Sequence, residues 1–74
     1  MREELRLMAK GTVLALEEIN AVLEINRVKA QESAFDMADD DAEYFYWSGV
    51  EVGLKQAIKY NTDFAKKLAE ACNV

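Results

Sequence analysis

Histidine is absent from this 74-residue sequence, proline is absent too, and cysteine occurs once, at Cys72. Each absence removes a class of function. Without histidine no Ser/His or Cys/His pair can be assembled, and the ligand sets of structural zinc are out of reach. A single cysteine forbids an intrachain disulfide. Glycine is limited to Gly11, Gly49 and Gly53, so there is no glycine-rich loop to cradle a phosphate. These gaps together argue that the chain is not an enzyme and needs no cofactor.

Bases are scarce: nine Lys and Arg stand against fourteen Asp and Glu, for a net charge of -5. Affinity for a phosphate backbone comes from clustered Lys and Arg, so direct nucleic-acid binding is not expected. No stretch reaches the roughly 18 uncharged apolar residues of a membrane span. Met1 to Lys10 alternates charge with leucine and does not form a signal-peptide core. The expectation is a cytoplasmic protein with no membrane partner, in which Cys72 is a reduced thiol.

What is present is helix-forming sequence without breakers. The expected fold is all-α: a helical hairpin with helix 1 over 3–34, an acidic turn over 35–40 and helix 2 over 41–72. The turn is read from Asp36-Met37-Ala38-Asp39-Asp40-Asp41, where four aspartates in six residues combine poor helix propensity with good capping chemistry. Asp40-x-x-Glu43 has the spacing of a capping box, and an acidic first turn suits the helix dipole. Gly11 could break helix 1 with Thr12 as a new cap, but Leu5 and Met8 stay in phase with Ile19 across it, which favours one continuous helix.

Helix 1 has an apolar stripe at Leu5, Met8, Ala15, Leu16, Ile19, Val22, Leu23 and Ala30, with Thr12 and Asn26 in the same sector. A second line, Leu7, Leu14, Ala21 and Val28, recurs every seven residues with Ile25 beside it. Either the helix has one wide core face, or it has an intramolecular face and a separate self-association face; the second reading is preferred. Helix 2 presents Tyr46, Trp47, Val50, Gly53, Leu54, Ala57, Ile58, Phe64, Ala65, Leu68 and Cys72, with Glu51→Lys55 and Asp63→Lys67 as i,i+4 ion pairs outside it. Gly49-x-x-x-Gly53 would admit a close crossing by helix 1 or by a neighbouring chain; a local bend or a ligand-sized concavity are the other readings. A chain this short buries too little surface to have stability in reserve. Two such helices leave one side of each apolar face wet, so a homo-oligomer, a dimer forming a four-helix bundle or a higher ring, is expected to complete the core through Leu7, Leu14, Val28, Gly49 and Gly53.

Charge is bipolar along the hairpin. Between Lys29 and Lys55 lie seven acids and no base, Glu32, Asp36, Asp39, Asp40, Asp41, Glu43 and Glu51, while all nine bases and the other seven acids lie elsewhere, net +2. A charge run can be a solvated face or a lure for a basic surface on another protein. Asp36-x-x-Asp39 and Asp40-x-x-Glu43 also have the i,i+3 spacing of carboxylate-bridged metal sites, but no ExxE motif faces them from helix 1. Beside the acids stand Tyr44-Phe45-Tyr46-Trp47. At about 100° per residue they point to four sides. The core of one hairpin takes Tyr46 and Trp47, leaving Tyr44 and Phe45 to Phe35 and the folded-back turn, to a second subunit, or to a foreign partner. The expected partner-binding set is therefore Asp36, Asp39, Asp40, Asp41, Glu43, Tyr44 and Phe45, docking on a basic protein.

The run Tyr46-Trp47-Ser48-Gly49-Val50-Glu51-Val52-Gly53-Leu54-Lys55-Gln56-Ala57-Ile58 resembles a pattern in small acidic helical-hairpin accessory proteins of bacteriophages, over about a sixth of the chain. In these an aromatic-Gly-x-x-x-Gly-Leu-x-x-Ala-Ile helix follows a first helix and a short polar turn. The resemblance implies an inhibitor of a host nucleic-acid-handling or defence factor. It also leaves open an oligomeric sponge for a nucleotide signal, with Lys55, Lys59, Arg27 and Lys29 at its phosphates. A carboxylate-metal hydrolase and a structural or assembly subunit are the remaining readings.

Overall fold

A computed structural model, which describes residues 2–73, is an all-α helical hairpin. Helix α1 runs from Arg2 to Asp36 and helix α2 from Asp41 to Cys72. The Cα trace measures 57 × 15 × 11 Å. No helix of the described residues is long and apolar enough to cross a membrane.

The helix starts and stops follow from local chemistry. Asp40 adopts an extended conformation and its Oδ1 accepts the backbone N–H of Glu43 at 3.2 Å, which makes it the N-cap of α2. The return bond of a full capping box is not made, because the Asp40 N–H donates to the Met37 carbonyl at 2.9 Å instead. Asn73 closes α2 in the left-handed region and donates its backbone N–H to the Ala69 carbonyl. α1 outlasts the expected boundary by two residues, ending at Asp36, so the link is only Met37 to Asp40. It is continuous through Gly11, as the phase of Leu5 and Met8 required. Thr12 is not a cap: its hydroxyl donates to the Met8 carbonyl at 3.0 Å, an ordinary mid-helix bond.

The seam between the helices corrects the expected one. Its α1 side is Ala9, Val13, Leu16, Asn20, Leu23, Arg27, Ala30 and Ala34, and its α2 side is Trp47, Glu51, Leu54, Ile58, Asn61, Ala65, Leu68 and Cys72. The spacing alternates four and three in both, the knobs-into-holes pattern of an antiparallel coiled coil. Of the expected α1 stripe only Leu16, Leu23 and Ala30 lie here. Leu5, Met8, Ile19 and Val22 are exposed, as are Tyr46, Gly53 and Phe64 on α2. Among the described residues only Ala9, Ala30 and Ala34 are buried. The bulkiest apolar residues define a helix's hydrophobic direction, whereas about half of this seam is small residues, Ala9, Ala30, Ala34, Ala65 and Cys72, and the polar residues Asn20, Arg27, Glu51 and Asn61.

Two polar layers cross it. Asn61 Nδ2 donates to Asn20 Oδ1 at 3.1 Å, and Asn20 Nδ2 donates to Thr62 Oγ1 at 3.1 Å. Closer to the turn, Arg27 Nη1 donates to Glu51 Oε2 at 3.1 Å. Polar residues at such positions fix register, since a slip of one heptad would leave them facing apolar side chains.

Candidate interaction surfaces: the tip and the two broad faces

The seam register sorts the remaining positions onto two broad faces. A shallow cleft is lined by Val13, Leu16, Glu17, Thr62, Ala65 and Lys66, which places Glu17 of α1 and Thr62 of α2 on the same side of the hairpin. That side carries Lys10, Glu17, Glu24, Lys55, Lys59 and Lys66, together with Leu7, Leu14, Ala21, Val28 and Val52. On it Arg27 chelates Glu24 with two bonds, Nε to Oε2 at 2.9 Å and Nη2 to Oε1 at 2.6 Å. The hydrogen bond from Arg27 holds the Glu24 carboxyl below its ordinary value of 4.5, with the charges of Arg27 and Lys55 adding to it. The same bond raises the Arg27 guanidinium, aided by the charge of Glu51. Lys55 in turn approaches Glu51 at 3.7 Å. Arg27 and Lys55, two of the four expected phosphate contacts, are thus committed to carboxylates. The Asp63–Lys67 pair is not formed.

The opposite side is different in kind. From Leu5 to Asn26 on α1 and from Tyr46 to Phe64 on α2, its thirteen positions carry neither an acid nor a base. Its large members, Leu5, Met8, Ile19, Val22, Tyr46, Tyr60 and Phe64, are between 45% and 71% exposed. Small residues, Ala15, Gly53 and Ala57, lie among them. The self-association residues expected from sequence fall elsewhere, with the exception of Gly53. Leu7, Leu14 and Val28 line the charged side, exposed to solvent, and Gly49 lies on the back of α2. No heavy atom comes within 4 Å of a Cβ placed at Gly49 or Gly53, so α1 makes no close crossing there. Gly53 is instead a flat spot on the uncharged face.

The turn end gathers the expected partner-binding residues. Asp36, Asp39, Asp40, Asp41, Glu43, Tyr44 and Phe45 are all exposed. Their carboxylates are not equivalent. Asp40 caps α2, and Asp41 and Glu43 sit in its first turn, where the helix dipole favours them. Glu32 and Asp36 stand at the C-terminal end of α1, which has no base in its last turn, so their charge opposes the dipole. Asp39 lies in the link and makes no hydrogen bond or ion pair among the described residues. Three of the tip's acids therefore have no local structural reason to be acidic.

Two aromatics flank them. Phe35 is 81% exposed and Phe45 69%, and the register puts both on the charged side of the hairpin. Tyr44 packs edge-on against Phe45, ring centres 5.5 Å apart, and Tyr46 against Trp47 at 5.1 Å. Trp47 enters the seam as expected, whereas Tyr46 turns out onto the uncharged face. Phe35 does not fold back over Tyr44 and Phe45; as the most exposed large apolar residue among those described, it joins the tip. Its signal in the sequence was its place directly before Asp36, with the polar Gln31 and Glu32 four and three residues before it. Among the described residues no group of three or more acids and cysteine is arranged to hold a metal ion.

No protein-family model matches this sequence, and neither a curated protein nor a solved structure is significantly similar to it.

Proposed function

We propose that this chain is a non-enzymatic binding protein whose acidic-aromatic tip docks on a basic surface of another protein and occludes it. One observation carries the reading: Phe35 and Phe45 stand open to solvent within the one segment that has seven acids and no base. Aromatics at the centre with charges at the rim is the composition of a protein-binding hot spot. The acids would steer encounter with a positive surface and the rings would supply the desolvated anchor. Glu32 and Asp36, which work against their own helix end, and Asp39, which makes no bond in the link, support it further, because the fold gives none of them another reason to be acidic. The resemblance of residues 46–58 to phage accessory proteins makes a host nucleic-acid-handling or defence factor the class of target, and inhibition the outcome.

The test is capture of a basic protein from host lysate at low and high salt by three chains. These are the natural sequence, the double variant Asp36→Lys/Asp39→Lys and the double variant Phe35→Ala/Phe45→Ala. Neither variant touches the seam or the Asp40 cap, and removing the dipole conflict at Asp36 should raise stability by about 0.3–1 kcal/mol. The reading requires salt-sensitive capture by the natural chain and its loss in both variants. A protein retained equally by all three would place its contact elsewhere and discard the tip.

A further inference from the structure

The uncharged face leaves a gap that the hairpin cannot close with its own residues. We infer that it is covered by a second copy of this chain, packed turn-to-termini, so that two hairpins form a four-helix bundle about a twofold axis passing near Ile19 and Tyr60.

Area is the first reason. At their observed exposures the seven large residues of the face alone leave on the order of 700 Å² open, close to the roughly 800 Å² that each partner contributes to a stable interface. The flanking small residues add to this. Among the described residues only three alanines are buried, and a 74-residue chain with so little core needs a partner to supply the remainder.

Charge selects the occupant and its direction. A chain of net charge -5 repels its own copy wherever acids meet, yet these thirteen positions carry no charge at all. The opposite face, with six charged residues, would set like charges against each other in many registers. Orientation follows from the ends. Side by side in parallel, two hairpins would bring two segments of charge -7 together; reversed, each anionic tip lies against the termini end of its partner, where Arg2 and Arg6 offset Glu3 and Glu4. The middle of the face then meets its own image. Ile19 and Tyr60, which the register sets at the same height, lie nearest the axis, and Ala57 provides the low ground into which the partner's Tyr60 and Phe64 can pack.

Both variants chosen for the test are exposed in the single hairpin. Sedimentation equilibrium at micromolar concentration should give twice 8.4 kDa for the natural chain. Ile19→Lys, which sets two ammonium groups near the axis, should weaken the dimer at least 100-fold. Val52→Lys, on the charged side, should leave it intact. Direction is read separately by a nitroxide on Asp39→Cys in a Cys72→Ser background, with the face unaltered. At 1.5 Å per residue from Ile19 to Asp39 in each chain, the tip-to-tip distance should be on the order of 50 Å or more, against about 20 Å for a parallel pair. A monomer, an assembly of three or more chains, equal disruption by Val52→Lys, or a short tip-to-tip distance overturns the inference. Should Ile19→Lys also lose its helix, the mass of the natural chain and the spin-label distance decide the matter alone.

Discussion

Arg27 of α1 and Glu51 of α2 face each other across the seam at 3.1 Å, with only 19% and 16% of their side chains exposed. The guanidinium also holds Glu24 through both carboxylate oxygens, so one arginine satisfies acids on two helices. Removing one partner strands the other in a half-covered position. Arg27→Leu and Glu51→Leu should each lower the melting temperature, and the double variant should melt above either. Thermal melts of the four chains give the coupling directly. Additive losses would mean that the pair contributes nothing as a pair.

Acid should weaken this network from one side only. Glu24 is held below its ordinary value of 4.5 by Arg27. A carboxylate with a lowered folded-state value contributes stability that is complete above its unfolded value and is lost as pH falls through the folded one. Arg27 is raised and stays charged throughout the accessible range. Urea midpoints should therefore be flat above about pH 5 and fall below about pH 4.5. Glu24→Gln should flatten part of that fall. An identical acid limb in the variant would mean that the Glu24–Arg27 bond contributes nothing to it.

The Asn20–Asn61 layer should act on register more than on stability. Replacing both by leucine removes two half-buried amides from the seam. By analogy with asparagines in coiled-coil cores, it should stabilise the hairpin by about 1 kcal/mol or more. The expected penalty is loss of uniqueness, seen as doubled or broadened amide resonances. A variant that is less stable and still gives one set of resonances would show the amides to be net stabilising partners.

Trp47 and Phe45 are two residues apart and should behave oppositely. Trp47 is half-buried in the seam, so Trp47→Ala should cost about 2–3 kcal/mol, somewhat below the loss for a fully enclosed ring. Phe45 is mostly solvent-exposed, and Phe45→Ala should change the unfolding free energy by less than about 0.5 kcal/mol. Chemical denaturation measures both. Comparable losses would mean that Phe45 is covered in solution.

The sequence made the helices legible and hid the seam. Asp40 announced the start of α2, and unbroken phase across Gly11 announced the length of α1. The inner face was misread because Leu5, Met8, Ile19 and Val22 outweigh Ala9, Asn20, Arg27 and Ala34 in any count of hydrophobicity. Asn20 and Arg27 look like surface residues until their partners are known, and those partners lie 41 and 24 residues away in the chain. Two clues were readable: Asn20 and Arg27 follow Val13 at intervals of seven, and Glu51 precedes Ile58, Ala65 and Cys72 at the same interval. At the tip, helical geometry alone turns Tyr44 and Phe45 away from the seam, and both are exposed; the exposure of Phe35, one candidate for covering them, is not legible from that geometry.

The four-residue link has a kinetic consequence. Seam partners near it are close along the chain, and those near the termini are far apart, so loop-closure entropy rises steadily from the turn outward. The hairpin should zip from Met37–Asp40 toward its ends, which makes the most anionic segment also the nucleus. Mutual repulsion among those carboxylates then acts on the encounter that starts folding, and salt should speed refolding more than it slows unfolding. In stopped-flow chevrons the folding limb should rise with ionic strength while the unfolding limb barely moves.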